Sequence, residues 1–184
     1  MSKWILLVSA LLFSATLNAD DELDPYELKI LQAQQALGEP IERVVVINLD
    51  GGHQSFDELD SEEVVIYFFA SWCSPCFSSL KNIESLKESF QFNTRFLAVA
   101  LDDDIDAVKA MLDRANFSGE AWLAIDGGEL LQNRSFANGY TSLPYAIRLD
   151  KHTRIVENSF EVSSVKQWKE ILVDGSTFQD MSKF

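Results

Sequence analysis

The chain has 184 residues, of which 47% are hydrophobic and 24% are charged, so it is long and apolar enough to form one globular domain with its own core. Fifteen Lys and Arg residues stand against 29 Asp and Glu residues, which gives a formal net charge of −14. This excess of negative charge disfavours nucleic acids and anionic membrane surfaces as partners.

Residues 1–19 have the pattern of a secretory signal peptide. Lys3 gives a positively charged start, residues 4–17 are largely apolar, and Ala19 precedes an acidic run. Because Leu17 occupies a position where a small residue is usual, an uncleaved N-terminal anchor is the alternative to cleavage after Ala19. Both interpretations predict an exported, periplasmic protein.

The remaining pattern predicts a helical arm over residues 20–40, one domain over 41–175 and a loose tail over 176–184. Hydrophobic periodicity predicts helices over 25–37, 75–90, 105–115, 129–136 and 163–173, and strands over 44–49, 64–70, 95–101, 121–125, 145–149 and 155–160. Strands alternate with helices before a hairpin and a final helix. This order predicts an α/β fold with a central mixed sheet flanked by helices and an N-terminal helical and strand extension.

Both cysteines of the chain lie in one short motif, Trp72-Cys73-Ser74-Pro75-Cys76, directly after a continuous apolar run. Cys73 is therefore expected where a strand gives way to a helix, and the N–H groups and dipole of a helix N-terminus stabilise a thiolate. A disulfide across two intervening residues restrains the unfolded chain little. The motif therefore favours redox exchange over the alternative of a structural disulfide.

Two segments together resemble the thioredoxin superfamily. The segment 69–76, Phe-Ala-Ser-Trp-Cys-Ser-Pro-Cys, resembles the strand-to-helix junction of that family's active site, and Ser142-Leu143-Pro144-Tyr145 resembles its loop with a cis proline. The exported context, the N-terminal elements and an insertion over 117–139 are similar to the TlpA-like branch of thiol-disulfide oxidoreductases. That branch includes proteins that keep apocytochrome c cysteines reduced, and the resemblance covers residues 44–173.

The two sulfurs are expected to have different roles. Cys73, at the helix start, is expected to be the exposed attacking thiolate, and Cys76, about one helical turn further on, is close enough to resolve a mixed disulfide. Ser74 and Pro75 are expected to tune the start of the helix, where the missing N–H of a proline costs nothing.

Three further residues are expected to contact the substrate. A cis bond before Pro144 would let Leu143 offer its backbone to an extended substrate segment beside the cysteines. Trp72 is expected to flank the same segment. The alternatives are a trans turn proline at Pro144 and an ordinary core aromatic residue at Trp72.

The direction of electron flow depends on how strongly the site stabilises the Cys73 thiolate. No histidine lies between the two cysteines, which favours a reductant over a strong oxidant. Tyr67 replaces the buried aspartate of thioredoxins, and Ser79 replaces a glutamate common in TlpA-like reductases. The usual acceptor for the Cys76 proton is thus missing from both places, and Phe77 stands where a basic residue is common.

We therefore expect an enzyme, a protein disulfide reductase, that acts on thiols and disulfides of other exported proteins and is recharged by a membrane dithiol donor. A disulfide oxidase or isomerase with the same cysteines is one alternative. A non-catalytic thioredoxin-like module, which holds a partner through the Leu143–Pro144 edge, is another. No cofactor is expected.

No metal site is predicted. His53 and His152 lie in turn-like stretches and would both have to converge on the cysteines to form a zinc site. The run Asp102–Asp104 lacks the spacing of a calcium loop and is expected to cap the following helix. A peroxidase is disfavoured because Ala70 occupies the position where a hydroxyl residue would precede the attacking cysteine.

Overall fold

The computed structural model describes residues 24–41, 44–132 and 136–178, and the predicted signal peptide lies outside these ranges. A seven-stranded mixed sheet forms the centre, in the order β2-β1-β5-β4-β3-β6-β7. The strands are β1 (Val45–Asn48), β2 (His53–Ser55), β3 (Val64–Phe69), β4 (Arg95–Ala100), β5 (Glu120–Ala124), β6 (Tyr145–Leu149) and β7 (Ile155–Ser159). The three central strands β3, β4 and β5 are parallel, and the other pairings are antiparallel, which confirms the predicted mixed sheet.

Helices cover both faces of this sheet. They are α1 (Pro25–Gln34), α2 (Ser74–Lys87), α3 (Ile105–Arg114), α4 (Gly127–Gln132) and α5 (Val165–Leu172), with a short 3₁₀ helix at Phe56–Leu59. Buried residues of α2, α3 and α5 belong to one core cluster, and those of α1, α4 and the 3₁₀ helix belong to the other. The predicted α/β arrangement with flanking helices is confirmed.

The central strand β3 explains the continuous apolar run that precedes the cysteines. All six of its residues are buried. Val65, Tyr67 and Phe69 belong to the cluster under α2, α3 and α5, and the other three side chains belong to the opposite cluster. Successive side chains of a strand point to opposite faces, so a strand covered on both sides needs apolar residues at every position.

Two elements differ from the sequence prediction. β2 was not predicted, because its residues His53, Gln54 and Ser55 lack an apolar alternation; it pairs with β1 at the edge of the sheet. His53, expected in a turn, is therefore an exposed strand residue. α4 begins at Gly127, two residues earlier than predicted, and a Cβ there would lie 2.5 Å from the carbonyl oxygen of Leu101.

The described part of the C-terminal tail packs against the sheet. Arg148 of β6 is 7% exposed; its Nε donates to Glu157 at 3.0 Å, and its Nη2 donates to the carbonyl of Ser176 at 2.7 Å. Phe178 is buried against the same guanidinium, and the Phe178 N–H donates to the carboxylate of Glu157. Residues 176–178 of the tail predicted over 176–184 are thus packed, and residues 179–184 lie outside the described ranges.

The N-terminal arm is attached to the edge of the sheet. Asp24 caps α1, and Ala33 of this helix is buried. The Asn158 side chain of β7 donates to the Ala33 carbonyl at 2.7 Å, which holds the helix against the last strand. Across the described ranges, every helix is too short or too polar to cross a bilayer.

Candidate active site

The two cysteines form a disulfide at the N-terminus of α2. Cys73 is the N-cap residue, and its Sγ accepts a hydrogen bond from the Cys76 N–H at 3.3 Å. Cys76 is fully buried, and Cys73 is 4% exposed, less than predicted for an attacking thiol. Cys73 nevertheless lines a surface cleft, and Cys76 is not among the residues of that lining.

Asp102 holds the chain just before the cysteines. It follows β4, is 8% exposed, and its two carboxylate oxygens accept the Ser71 N–H at 3.1 and 2.9 Å. The Ser71 hydroxyl donates to the same carboxylate. Of the run predicted to cap α3, Asp104 is the cap, accepting from two N–H groups of the first turn. The role of Asp102 was missed, although parallel strands bring the ends of β3 and β4 to one edge of the sheet.

A cleft of about 310 Å³ opens beside Cys73. Its lining combines the residues around the motif with one residue of α3: Ser71, Trp72, Cys73, Ser74, Phe77 and Arg114. Trp72 is 75% exposed, which excludes the alternative of a core aromatic residue. Arg114 was not singled out by the sequence analysis, because it lies 38 positions beyond Cys76 and only the packing of α3 brings it to the cleft.

Hydroxyl groups occupy two buried positions where the resemblance led us to expect carboxylates. Tyr67 and Ser79 are fully buried, and Ser79 lies one helical turn after Cys76 on α2. The two hydroxyls lie near one another, yet neither makes a hydrogen bond of good geometry within the part of the chain that is described. Burial raises the pKa of Tyr67, and Ser79 offsets part of that rise, so the phenol stays neutral near pH 7.

The Leu143–Pro144 peptide bond is cis, as predicted. Tyr145, the first residue of β6, pairs with Phe68 near the end of β3. This loop therefore lies at the end of β3, where the cysteine motif begins. Buried Asn138 holds the loop by accepting the Ser142 N–H at 3.1 Å and donating to the Ser142 carbonyl at 2.9 Å. Leu143 packs against the core cluster that contains both cysteines.

The two histidines do not approach the cysteines. His53 lies in β2 at one edge of the sheet, and His152 lies in the turn between β6 and β7 near the other edge. Within the described ranges, no group of three or more His, Cys, Asp or Glu side chains is arranged to hold a metal ion.

The fold is shared with solved structures of low sequence identity. A protein of Bacteroides thetaiotaomicron, named provisionally as a protein disulfide isomerase, is 20% identical with a TM-score of 0.60; the match covers 76% of this chain and 91% of that one. A thiol:disulfide interchange protein of the thioredoxin family from Chlorobium tepidum is 22% identical with a TM-score of 0.57, over 72% and 92% of the two chains.

A third match is a secreted Mycobacterium tuberculosis disulfide oxidoreductase described as homologous to E. coli DsbE. It is 15% identical with a TM-score of 0.51, over 75% of this chain and 93% of that one. All three proteins are named for disulfide chemistry, and what this chain shares with them is the fold.

No curated protein sequence matches the chain. The profile of the AhpC/TSA family, in contrast, matches residues 37–166, which is well over half of the sequence. Together with the solved structures, this match confirms the predicted thioredoxin-like fold. The chain carries its Cys-x-x-Cys pair on that fold, and it belongs to the AhpC/TSA family.

Proposed function

We propose that the protein is an exported thiol-disulfide oxidoreductase that reduces disulfides in other exported proteins. The observation that carries this proposal is the placement of the two sulfurs. Cys73 caps α2 and lines an open cleft, while Cys76 lies buried directly behind it and within bonding distance. One sulfur can therefore meet a substrate, and the other can reach only the first.

The reaction proceeds in two exchange steps. The Cys73 thiolate attacks one sulfur of a substrate disulfide, forming a mixed disulfide and releasing the other substrate sulfur as a thiolate. Cys76, as thiolate, then attacks the Cys73 sulfur, which forms the Cys73–Cys76 disulfide and releases the second substrate thiol. Two electrons pass to the substrate, and a dithiol donor, proposed to lie in the membrane, restores the reduced pair.

Two features of the helix start support Cys73 as the attacking group. The Cys76 N–H already donates to the Cys73 sulfur, and a donor aimed at a sulfur stabilises its charged form more than its neutral form. The dipole of α2 adds to this effect, with Pro75 accommodated in the first turn beside Ser74. Both contributions favour a thiolate at Cys73 near neutral pH.

The substrate is proposed to lie between Trp72 and the Leu143–Pro144 loop. The backbone N–H and C=O of Leu143 make no hydrogen bond with the described parts of the chain, so both are available to an extended segment. Trp72, next to Cys73 in the chain and in the lining of the same cleft, offers a largely exposed apolar ring. Apocytochrome c is one substrate class that the TlpA-like resemblance supports.

The activity is tested by reduction of insulin with dithiothreitol as the electron source. Wild-type protein should accelerate the reaction, and Cys73→Ser should abolish the acceleration. A protein that fails to accelerate insulin reduction, although its Cys73–Cys76 disulfide is reduced by dithiothreitol, would instead be a binding module.

Oxidase or isomerase activity is the second candidate, and one observation favours it. A buried carboxylate near the cysteines would disfavour the thiolate, but the hydroxyls of Tyr67 and Ser79 stand there instead. A more stable thiolate makes the pair more oxidising. Equilibration of Cys73–Cys76 with glutathione decides between the two: a potential nearer about −270 mV supports the reductase, and one nearer about −120 mV supports the oxidase.

Substrates and export are tested in cells. Cys76→Ala should leave substrates trapped on Cys73, and a trapped apocytochrome with a Cys-x-x-Cys-His sequence would support a role in cytochrome c maturation. The proposed export predicts that protein recovered from the periplasm begins at residue 20. Protein that starts at Met1 and remains with the membrane would support the anchor instead.

A further inference from the structure

We propose that Arg114 forms a subsite for a carboxylate in the substrate, within two residues of the cysteine that Cys73 attacks. The inference rests on the proposed function, because it names the kind of protein segment that the cleft beside Cys73 accepts. It adds a specificity residue that lies on α3, outside the cysteine motif and the proline loop.

Arg114 is held in place at the wall of the cleft. Its Cζ lies 5.8 Å from the centre of the Phe77 ring, and its Nε donates to the Ala110 carbonyl at 3.3 Å. The positive charge at this wall of the cleft comes from the last turn of α3 and lies against the ring of Phe77.

The guanidinium is available for a ligand. Arg114 is exposed and lines the cleft together with Cys73. No carboxylate in the described ranges forms an ion pair with it. A guanidinium has five N–H donors, and with Nε committed to Ala110 the terminal nitrogens remain to bind a carboxylate in a bidentate manner.

The carboxylate that binds Ser71 does not compete for the subsite. Asp102 is buried, and both of its oxygens are engaged by the N–H and hydroxyl of Ser71. Arg114 is therefore the charged side chain that the lining of the cleft presents to a substrate.

The carboxylate must come from a residue close to the attacked cysteine. An extended segment advances about 3.3 Å per residue, and residues two apart point to the same side, so the neighbours of a cysteine bound at Cys73 reach along the cleft. The chain as a whole carries a net charge of −14 and disfavours acidic partners at long range. The proposed substrate therefore has a local acidic residue rather than a high overall negative charge.

The test compares two peptide substrates of identical composition, each of which contains a disulfide. In one peptide Glu is next to the cysteine and Gln is distant, and in the other the two residues are exchanged, so net charge is the same. Reduced full-length protein is mixed with each peptide, the reaction is quenched with acid, and the released thiol is separated by chromatography. The peptide with the adjacent Glu should react about threefold faster, as expected of one partly exposed ion pair.

Variants identify the source of this preference. Arg114→Gln should reduce the ratio of the two rates to about one. Lys109→Gln removes the same charge from α3 at a residue that does not line the cleft, and it should keep the wild-type ratio. Raising the salt concentration should lower the ratio in wild type and leave it unchanged in Arg114→Gln.

The outcomes separate this inference from the proposed function. Equal rates for the two peptides in wild type would overturn the subsite and leave the exchange activity in place. If Arg114→Gln slows both peptides equally and keeps their ratio, Arg114 acts on the Cys73 thiolate, and the subsite is also overturned. If neither peptide is reduced at all, the proposed function itself fails.

Discussion

At the scale of single residues, Asp102 and Ser71 define where the cysteine motif lies relative to the sheet. The carboxylate of Asp102 accepts from both the backbone and the side chain of Ser71, two positions before Cys73. Both partners of this contact are largely shielded from water, and a buried hydrogen bond to a charged group is worth about 1.5–3 kcal/mol. Asp102 thus fixes the backbone two positions before Cys73, and we expect it to position the Cys73 sulfur.

Replacing Asp102 by Asn tests this role. The Asn side chain has one acceptor oxygen and one donor nitrogen, so only one of its two terminal atoms can accept a hydrogen bond from Ser71. We expect Asp102→Asn to lower the free energy of unfolding in urea by about 1–3 kcal/mol and to slow the reaction of Cys73 with a small disulfide. Asp103→Asn, at the exposed neighbouring carboxylate, should change neither quantity. A stable variant with wild-type reactivity would contradict the positioning role.

Ser79 offers a second test at this scale, because it faces the core one turn after Cys76. Ser79→Glu introduces a buried negative charge that disfavours the cysteine thiolates. The Cys73–Cys76 potential should become more negative by about 30 mV for each unit by which the thiolate pKa rises. Equilibration with glutathione measures the shift.

The matched control is Ser78→Glu, which adds the same charge at an exposed position of α2. It should move the potential much less, since solvent screens the charge. Equal shifts in the two variants would show that charge on the helix, rather than burial near Cys76, sets the potential.

At the scale of elements, the hairpin of β6 and β7 depends on Asp150. Its Oδ1 accepts the N–H groups of His152 at 2.8 Å and Arg154 at 2.9 Å. Limited burial acts to raise the pKa of Asp150, but these two hydrogen bonds and the nearby positive charges outweigh it and lower the pKa. The ionised carboxylate is therefore the form that the turn stabilises.

Asp150→Ala should destabilise the protein at pH 7 by about 1 kcal/mol, because both N–H groups lose their acceptor. A lowered pKa in the folded state contributes stability above the unfolded value of about 3.9, and this contribution is lost as pH falls through the folded value. The difference between wild type and Asp150→Ala in urea unfolding should therefore shrink below about pH 4. A difference in stability that stays constant down to pH 2 would contradict the assignment. The stability of Asp150→Asn, which keeps one acceptor, should lie between the stabilities of wild type and Asp150→Ala.

The elements that the sequence predicted well are those with a strong apolar period. β3 follows from the apolar run before Cys73, and α2 follows from the apolar stripe after it. The predicted ends of both elements lie within three residues of the observed ends. β2 was missed because its three polar residues are held by pairing with β1 rather than by burial. Arg114 and the role of Asp102 were missed because both depend on which strands and helices become neighbours, and local spacing does not report that.

At the scale of the whole molecule, the excess of acidic residues opposes the compact state. Like charges repel more strongly in the folded chain, where they are closer together, and salt screens this repulsion. With 29 acidic and 15 basic residues, the protein should become more stable in urea when sodium chloride is raised from about 20 to about 200 mM.

Local ion pairs have the opposite dependence on salt. Arg95 is bound by both Glu62 and Glu120, and screening weakens such contacts. A fall in stability across the same salt series would show that these pairs outweigh the general repulsion.

Trp72 gives the molecule a built-in optical signal. Its indole is largely open to solvent beside the disulfide, whereas Trp122 and Trp168 are buried in the two halves of the core. Disulfides quench the fluorescence of a neighbouring indole, so opening the Cys73–Cys76 bond should brighten the emission of Trp72. The oxidation state of the intact protein can then be followed in real time without attaching a dye.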